Sequence, residues 1–225
     1  MEKQNMTLNY KITEIDENKT VKTILQNRLH LSNRLIAKLK THQKILVNQQ
    51  VAWVNEIPAL GALIEVILDL EEEDTILPQK GDLDILYEDE YFLAVNKPAN
   101  LVVHPCSYHL EGTLANFVKE YLSNHKKIRP INRIDRDTSG IVLFAKNEYV
   151  QEAFKNLLEK PQKEYLAIVL GRFSQKQGCI SLPIARKSDS IMEREVNLEI
   201  GQEAVTHYEV IDEGYDKIGR EVSLV

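Results

Sequence analysis

The amino-acid sequence predicts an α+β fold, and three observations carry the prediction. Candidate strands are many and short, candidate amphipathic helices are few, and the two do not alternate regularly. A basic stretch without acids, residues 18–55, precedes one crowded with them. Between head and body, both apolar periodicities break. Regular β-α alternation would point to a parallel sheet, and strands alone to a sandwich or barrel. The expected architecture is a small head of helices and a hairpin, followed by a mixed, largely antiparallel sheet.

The head, residues 1–70, reads as two helices and a hairpin. Thr20 is placed to cap a helix carrying Val21, Ile24, Leu25 and Leu29 on one stripe. Ser32 is placed to cap a second, with Leu35, Ile36 and Leu39 facing inward. A strand follows at Ile45, Leu46 and Val47, then a turn at Asn48-Gln49-Gln50 and a strand over 51–54. After Pro58 and Gly61, residues 63–70 read as a closing strand.

Residues 71–82, EEEDTILPQKGD, read as a linker. The body, 83–225, alternates short strands with two helices. The segment 113–125 stacks Leu114, Phe117, Val118, Tyr121 and Leu122, and 147–160 stacks Val150, Ala153, Phe154, Leu157 and Leu158 before Pro161. Strands are expected at 92–95, 101–103, 141–145, 164–170, 180–184, 204–211 and 221–225.

Composition excludes several classes. The 225 residues are 43% hydrophobic and 28% charged, too apolar and periodic for a disordered chain. No run approaches the roughly 18 apolar residues that span a bilayer. The N-terminal MEKQNMTLNYK lacks the apolar core of a signal peptide. Two cysteines, Cys106 and Cys179, form no disulfide framework and suit a reducing cytoplasm.

The net charge of −6 is an average that hides a pattern. Residues 18–55 contain no Asp or Glu but seven Lys and Arg, among them Arg28, Arg34, Lys38, Lys40 and Lys44. Residues 56–90 hold twelve acids and one base, Lys80, and the remainder balances at 18 and 18. Such a head is an electrostatic footprint for phosphates; the plain alternative is a solvated basic helix face. Arg34 and Lys38 stand at i, i+4, where like charges repel, so tolerance of the pair points to an anionic ligand.

The segment that carries chemistry is 130–146, PINRIDRDTSGIVLFAK. A charged, turn-forming loop runs into an apolar strand. Asp135 stands between Arg133 and Arg136, whose guanidinium groups would favour its ionised form. An ionised carboxylate at the mouth of a buried strand is a candidate nucleophile, and equally an ordinary structural ion pair. Two opposed carboxylates, as glycoside hydrolysis needs, are not evident, since Asp137 lies too near Asp135 in sequence. His104, Cys106 and His109 lack a fourth ligand at familiar spacing, so no metal is expected.

Residues 132–140, NRIDRDTSG, resemble the H-R-L-D-x-x-T-S-G signature of the RluA branch of pseudouridine synthases. Residues 85–105, ILYEDEYFLAVNKPANLVVHP, resemble that family's first motif, and 163–171, KEYLAIVLG, its K-x-Y-x-A-x-V-x-G strand. Leu182-Pro183-Ile184 and Ala204-Val205-Thr206 match weaker signatures in order. The head resembles the S-four-type RNA-binding domain that many members carry. Together the matches cover nearly everything from Lys19 onward.

The resemblance implies isomerisation of uridine to pseudouridine in ribosomal or transfer RNA, without cofactor or metal, by a monomer. Asp135 is implied as the catalytic carboxylate, through direct attack on C1′ or through a glycal. Tyr165 is implied to stack on the base and assist proton transfer near C5. Arg133 is implied to contact RNA and hold the target nucleotide out of its stack, a flip costing a few kcal/mol. Arg136, Lys97 and the head cations complete the expected RNA contacts, and Lys97-Pro98 is also read as fixing a loop beside the site. Without the resemblance, Tyr165 in an apolar strand reads as core. Trp53 reads as packing rather than stacking.

The chain departs from the family pattern at Asn132, where His is usual, at Ile134, where Leu is usual, and at the head's turn, which lacks the usual Gly. A strand like 221–225 leads, in the family, into a T-G-R-x-H-Q-I-R segment whose Arg pairs with the catalytic Asp. This sequence stops before it, which predicts that the 225-residue polypeptide is catalytically crippled or inactive even if a full-length parent is active. The alternative reading is a non-catalytic RNA-binding protein or an inactive fragment of such an enzyme.

Overall fold

A computed structural model describes residues 6–68, 75–106, 109–122, 127–157, 163–190 and 193–225. Residues 71–74 of the predicted linker, 69–70 at the end of the predicted closing strand, and the ends of the predicted helices at 123–125 and 158–160 lie outside them. The chain divides into two compact units, residues 1–160 and 161–225. Head and body core share the first. No described helix is long and apolar enough to cross a membrane.

The head is a four-stranded antiparallel sheet in the order β1-β4-β2-β3 carrying two helices. Its strands are β1 (Thr7–Lys11), β2 (Ile45–Val47), β3 (Gln50–Val51) and β4 (Leu63–Ile67). Both helices fall where the sequence places them, α1 at Val21–Leu29 and α2 at Asn33–Thr41. The Thr20 hydroxyl accepts from the Thr23 amide, and the Ser32 hydroxyl from that of Leu35. Each cap satisfies an amide the helix leaves unpaired. Ile24, Leu25, Leu35 and Leu39 meet Ile45, Ile64 and Val66 in the core.

Two features of the head lie beyond the sequence reading. Strand β1, unpredicted, closes the sheet edge against β4, with Thr7 opposite Ile67 and Lys11 opposite Leu63. Asp16 is buried and accepts from Tyr10, Thr13 and the Arg28 guanidinium at 2.7, 2.9 and 2.8 Å. The acid-free stretch therefore does have an internal acid, contributed from just before it.

The body core is a second antiparallel sheet, ordered β5-β6-β8-β7. It comprises β5 (Asp84–Glu88), β6 (Phe92–Lys97), β7 (Arg129–Pro130) and β8 (Gly140–Ala145). Helix α3 (Leu114–Tyr121) packs Leu114, Ala115 and Val118 against Leu93, Val95, Val142 and Phe144. The sequence predicts a strand at 101–103, but the carbonyls of Val102 and Val103 instead accept from Leu114 and Ala115. They pair the first amides of α3, which have no partner within the helix.

The described part of the predicted linker packs on the body. Ile76 is buried in the same cluster, and the Asn116 amide donates to the Leu77 carbonyl at 2.8 Å. A Cβ built on Gly81 would lie 2.5 Å from the Phe117 ring, so the close approach requires glycine.

Helix α4 (Glu148–Leu157) joins head to body. Lys38 on α2 reaches Glu148 at 2.5 Å, and Arg34 lies 3.6 Å from the same carboxylate. Asn147 donates to the Met6 thioether, and Tyr149 packs on the head core, where burial raises its pKa.

Among its described residues the second unit has strands and connecting loops and no helix. β14 (Asp212–Tyr215), β15 (Glu221–Leu224) and β9 (Ile168–Leu170) form one antiparallel sheet. β10 (Gln177–Ser181) pairs with β13 (Val205–Glu209), and β11 (Ile184–Arg186) with β12 (Arg194–Val196). The strand predicted over 164–170 is ladder only in its second half, at β9. The many antiparallel pairings and few helices match the α+β expectation.

Candidate functional site

The loop 131–139 carries Asp135 between β7 and β8. At its entry the Asn132 side chain stands in for a strand residue. Its amide nitrogen donates to the Ile141 carbonyl at 2.9 Å, and its oxygen accepts from the Leu143 amide at 2.8 Å. Two bonds to consecutive ladder positions fix where the loop leaves the sheet. Gly140, at φ 136°, opens β8 in a conformation that glycine adopts without strain.

The exit side is held by Lys97 at the end of β6. Its ammonium donates to the carbonyls of Pro98, Leu101 and Arg136 at 2.8, 2.8 and 2.9 Å. The side chain is 0% exposed, and an ammonium has three donors, so all are engaged. Burial pulls its pKa below the usual lysine value, against the opposing influence of Asp137 and Asp135. Lys97 is thus corrected from an RNA contact to an internal brace: no N–H remains for a phosphate. Its reading as the residue that fixes a loop beside the site agrees with these bonds.

Asp135 projects from the braced loop. Its side chain is exposed and makes no hydrogen bond or ion pair among the described residues. The backbone carbonyl accepts from Thr138, closing a turn. The sequence flanks Asp135 with two guanidinium groups, but the structure redirects one. Arg136 grips Asp137 in a two-point contact at 3.0 and 3.1 Å. That contact holds the Asp137 carboxyl below its usual range and raises Arg136. Arg133 stays exposed and unpaired among the described residues.

Asp135, Arg133, Arg136 and Lys97 therefore share one loop system. Tyr165 belongs to the other unit, in the segment before β9. It is 59% exposed, so the reading of it as a core residue is set aside.

The head cations divide. Arg28 is engaged by Asp16, and Arg34 and Lys38 by Glu148, which is itself only 9% exposed. The anion implied by the Arg34–Lys38 repulsion is, in this structure, a carboxylate of the body. Lys40 and Lys44 make no ion pair among the described residues. Trp53, read from sequence as packing, is 74% exposed.

Sequence reasoning missed Asn132 as a clamp and Glu148 as a counter-ion. Glu148 opens a helix, where an acid needs no further explanation than the helix dipole.

A family model described as RNA pseudouridylate synthase matches residues 91–225. The "Uncharacterized RNA pseudouridine synthase YhcT" of Bacillus subtilis is 34% identical over 216 residues, covering 94% of this chain and 71% of its own length. The "Ribosomal large subunit pseudouridine synthase D" of Escherichia coli is 31% identical over 176 residues, covering 76% of this chain and 53% of its own. The chain thus spans between about half and about seven-tenths of the length of these relatives. The solved structure of human RNA pseudouridylate synthase domain containing 1 has the same fold, with a TM-score of 0.52 at 23% identity. That match covers 69% of this chain and 60% of the human one.

Proposed function

Because the chain belongs to the RNA pseudouridylate synthase family, we propose that it isomerises uridine to pseudouridine within structured RNA. The C1′–N1 bond breaks, the uracil turns, C5 bonds to C1′ and loses its proton, and N1 gains one, so atoms and oxidation state balance without a cofactor. Ribosomal RNA is the favoured substrate class, by likeness to relatives named for the large ribosomal subunit; transfer RNA is the other.

The observation that carries this reading is the state of Asp135. It is an exposed carboxylate with no partner among the described residues, on a loop fixed at one end by Asn132 and at the other by Lys97. A carboxylate so placed is pre-positioned for the ribose of a base taken out of its stack. Arg133, unpaired beside it, contacts the RNA backbone. Tyr165 stacks on the flipped uracil, which its exposure supports. The head is an S-four-type RNA-binding domain that holds flanking RNA through its basic side chains. The protein acts as a monomer in the cytoplasm, a compartment that suits its two free cysteines, Cys106 and Cys179.

Pseudouridine mapping across ribosomal and transfer RNA tests the proposal, in cells with and without the intact gene. The expected result is at least one uridine that loses modification without the gene. Reintroduced wild-type gene restores it and Asp135→Ala does not, although Asp135→Ala protein still binds RNA. A fully unchanged map points to the second reading, a non-catalytic RNA-binding protein.

A further inference from the structure

We propose that Trp53 is a stacking platform for an unpaired RNA base, with the Lys44 ammonium beside it for the adjoining phosphate. The proposal rests on the RNA reading above and names a subsite in the head, apart from the loop that carries Asp135.

The placement follows from the hairpin register. Leu46 pairs with Val51 and Val47 with Gln50 across a two-residue turn. The Ala52 amide donates to the Ile45 carbonyl at 3.0 Å, which extends the same register past the end of β3. One step further, the register sets Trp53 across from Lys44. Alternation then sorts the faces. Ala52 and Val54 are buried, whereas Val51 and Trp53 are exposed on the opposite face.

The segment is held by its backbone. The Glu56 amide donates to the Trp53 carbonyl at 3.1 Å, and the Lys22 and Val21 amides of α1 donate to the carbonyls of Val54 and Glu56 at 2.8 and 2.9 Å. An indole on a fixed segment loses little freedom when a flat ring lies on it.

Charge favours RNA as the occupant. Trp53 lies within the acid-free stretch of the head. Lys19, Arg28, Arg34 and Lys38 are engaged internally, whereas Lys22, Lys40 and Lys44 make no ion pair among the described residues; Lys40 and Lys44 stand at the end of α2 and just before β2. Glu65 lies on the same sheet face, across Leu46 from Val51. One of its carboxylate oxygens is buried and without a hydrogen-bond partner among the described residues, so it is not a freely presented anion on this face. An aromatic face flanked by free cations suits single-stranded nucleic acid, since every base has a face to stack.

Trp53 is the chain's one tryptophan, so its emission reports on this site alone. The 225-residue protein is titrated with a uridine-rich single-stranded oligoribonucleotide and with a duplex of equal length, following tryptophan emission and the anisotropy of labelled RNA. The expected result is saturable quenching by the single strand and weak quenching by the duplex. Trp53→Leu should weaken single-strand binding about 5- to 100-fold, and Trp53→Phe by less, the order that stacking dictates. Trp53 is exposed, so both variants should keep the wild-type circular dichroism. RNA binding by anisotropy without quenching, or with equal affinity in Trp53→Leu, overturns the proposal and leaves the RNA reading standing. Absence of RNA binding by the wild-type protein overturns both. A concentration-dependent blue shift without RNA overturns it in favour of a second copy of the chain on this face.

Discussion

Lys97 and Arg136, 39 residues apart in sequence, meet where the Lys97 ammonium donates to the Arg136 carbonyl at 2.9 Å. The bond holds the residue next to Asp135 against the end of β6. Lys97→Met keeps length and apolar stem but leaves the Pro98 and Leu101 carbonyls without this donor, and the Arg136 carbonyl with only the Leu101 amide. A loss of about 2–4 kcal/mol of stability is expected, read as a lower urea midpoint. Lys97→Arg should not rescue it, because a planar fork cannot meet three carbonyls arranged around a point charge. A Lys97→Met protein within about 0.5 kcal/mol of wild type would show the brace to be dispensable.

Glu148 holds Lys38 and Arg34 on the body. Glu148→Gln removes the charge and leaves both cations to phosphate. RNA affinity at low salt should rise several-fold, and the slope of log affinity against log salt should steepen by about one to two. The price is a looser head, seen as faster amide exchange in α2. An unchanged salt slope would mean that Arg34 and Lys38 never reach the RNA.

Asp16 predicts the acid side of the stability curve. Burial by itself raises its pKa, but bonds from Tyr10, Arg28 and Thr13 prevail and hold the carboxyl well below its usual range. A depressed carboxylate contributes stability that is complete above the unfolded pKa, near 4, and lost as the pH falls below it. The gap between wild type and Asp16→Asn in unfolding midpoint should therefore narrow from about pH 6 to about pH 3. A constant gap across that range would contradict the assignment.

The hairpin turn holds Asn48 at φ 49° and Gln49 at φ 66°. Asn tolerates the left-handed region and Gln does so at a penalty. Gln49→Gly should stabilise the protein by about 0.5–1 kcal/mol, after allowing for the greater freedom of glycine in the unfolded chain. Thermal unfolding measures it, and a lower midpoint would show that the Gln49 side chain contributes a contact of its own.

What the sequence reveals and what it conceals divide along the range of the forces. Helices α1 and α2 are legible because stripe and cap lie within a few residues of each other. Strand β1 is not, because its partner β4 is more than fifty residues away. The Asp135 loop is legible as a motif. Its supports are not, since Lys97 binds backbone carbonyls, which every residue has. The local charge pattern marks the head as basic, but the Asp16 and Glu148 contacts that engage Lys19, Arg28, Arg34 and Lys38 arise only on folding. The habit of aromatic residues to be buried misleads at Trp53, and at Tyr165 when its motif is left aside, since both are exposed.

The contact between α2 and Glu148 has a geometric meaning as well. A head joined only by a flexible tether would let a bound RNA wander, and any nearby uridine could reach Asp135. A head seated on the body at Glu148, Tyr149 and Asn147 is a ruler. Under the proposed RNA reading, RNA held by the head would present nucleotides at a set spacing from the Asp135 carboxylate, and choice of target would become a matter of length as much as of sequence.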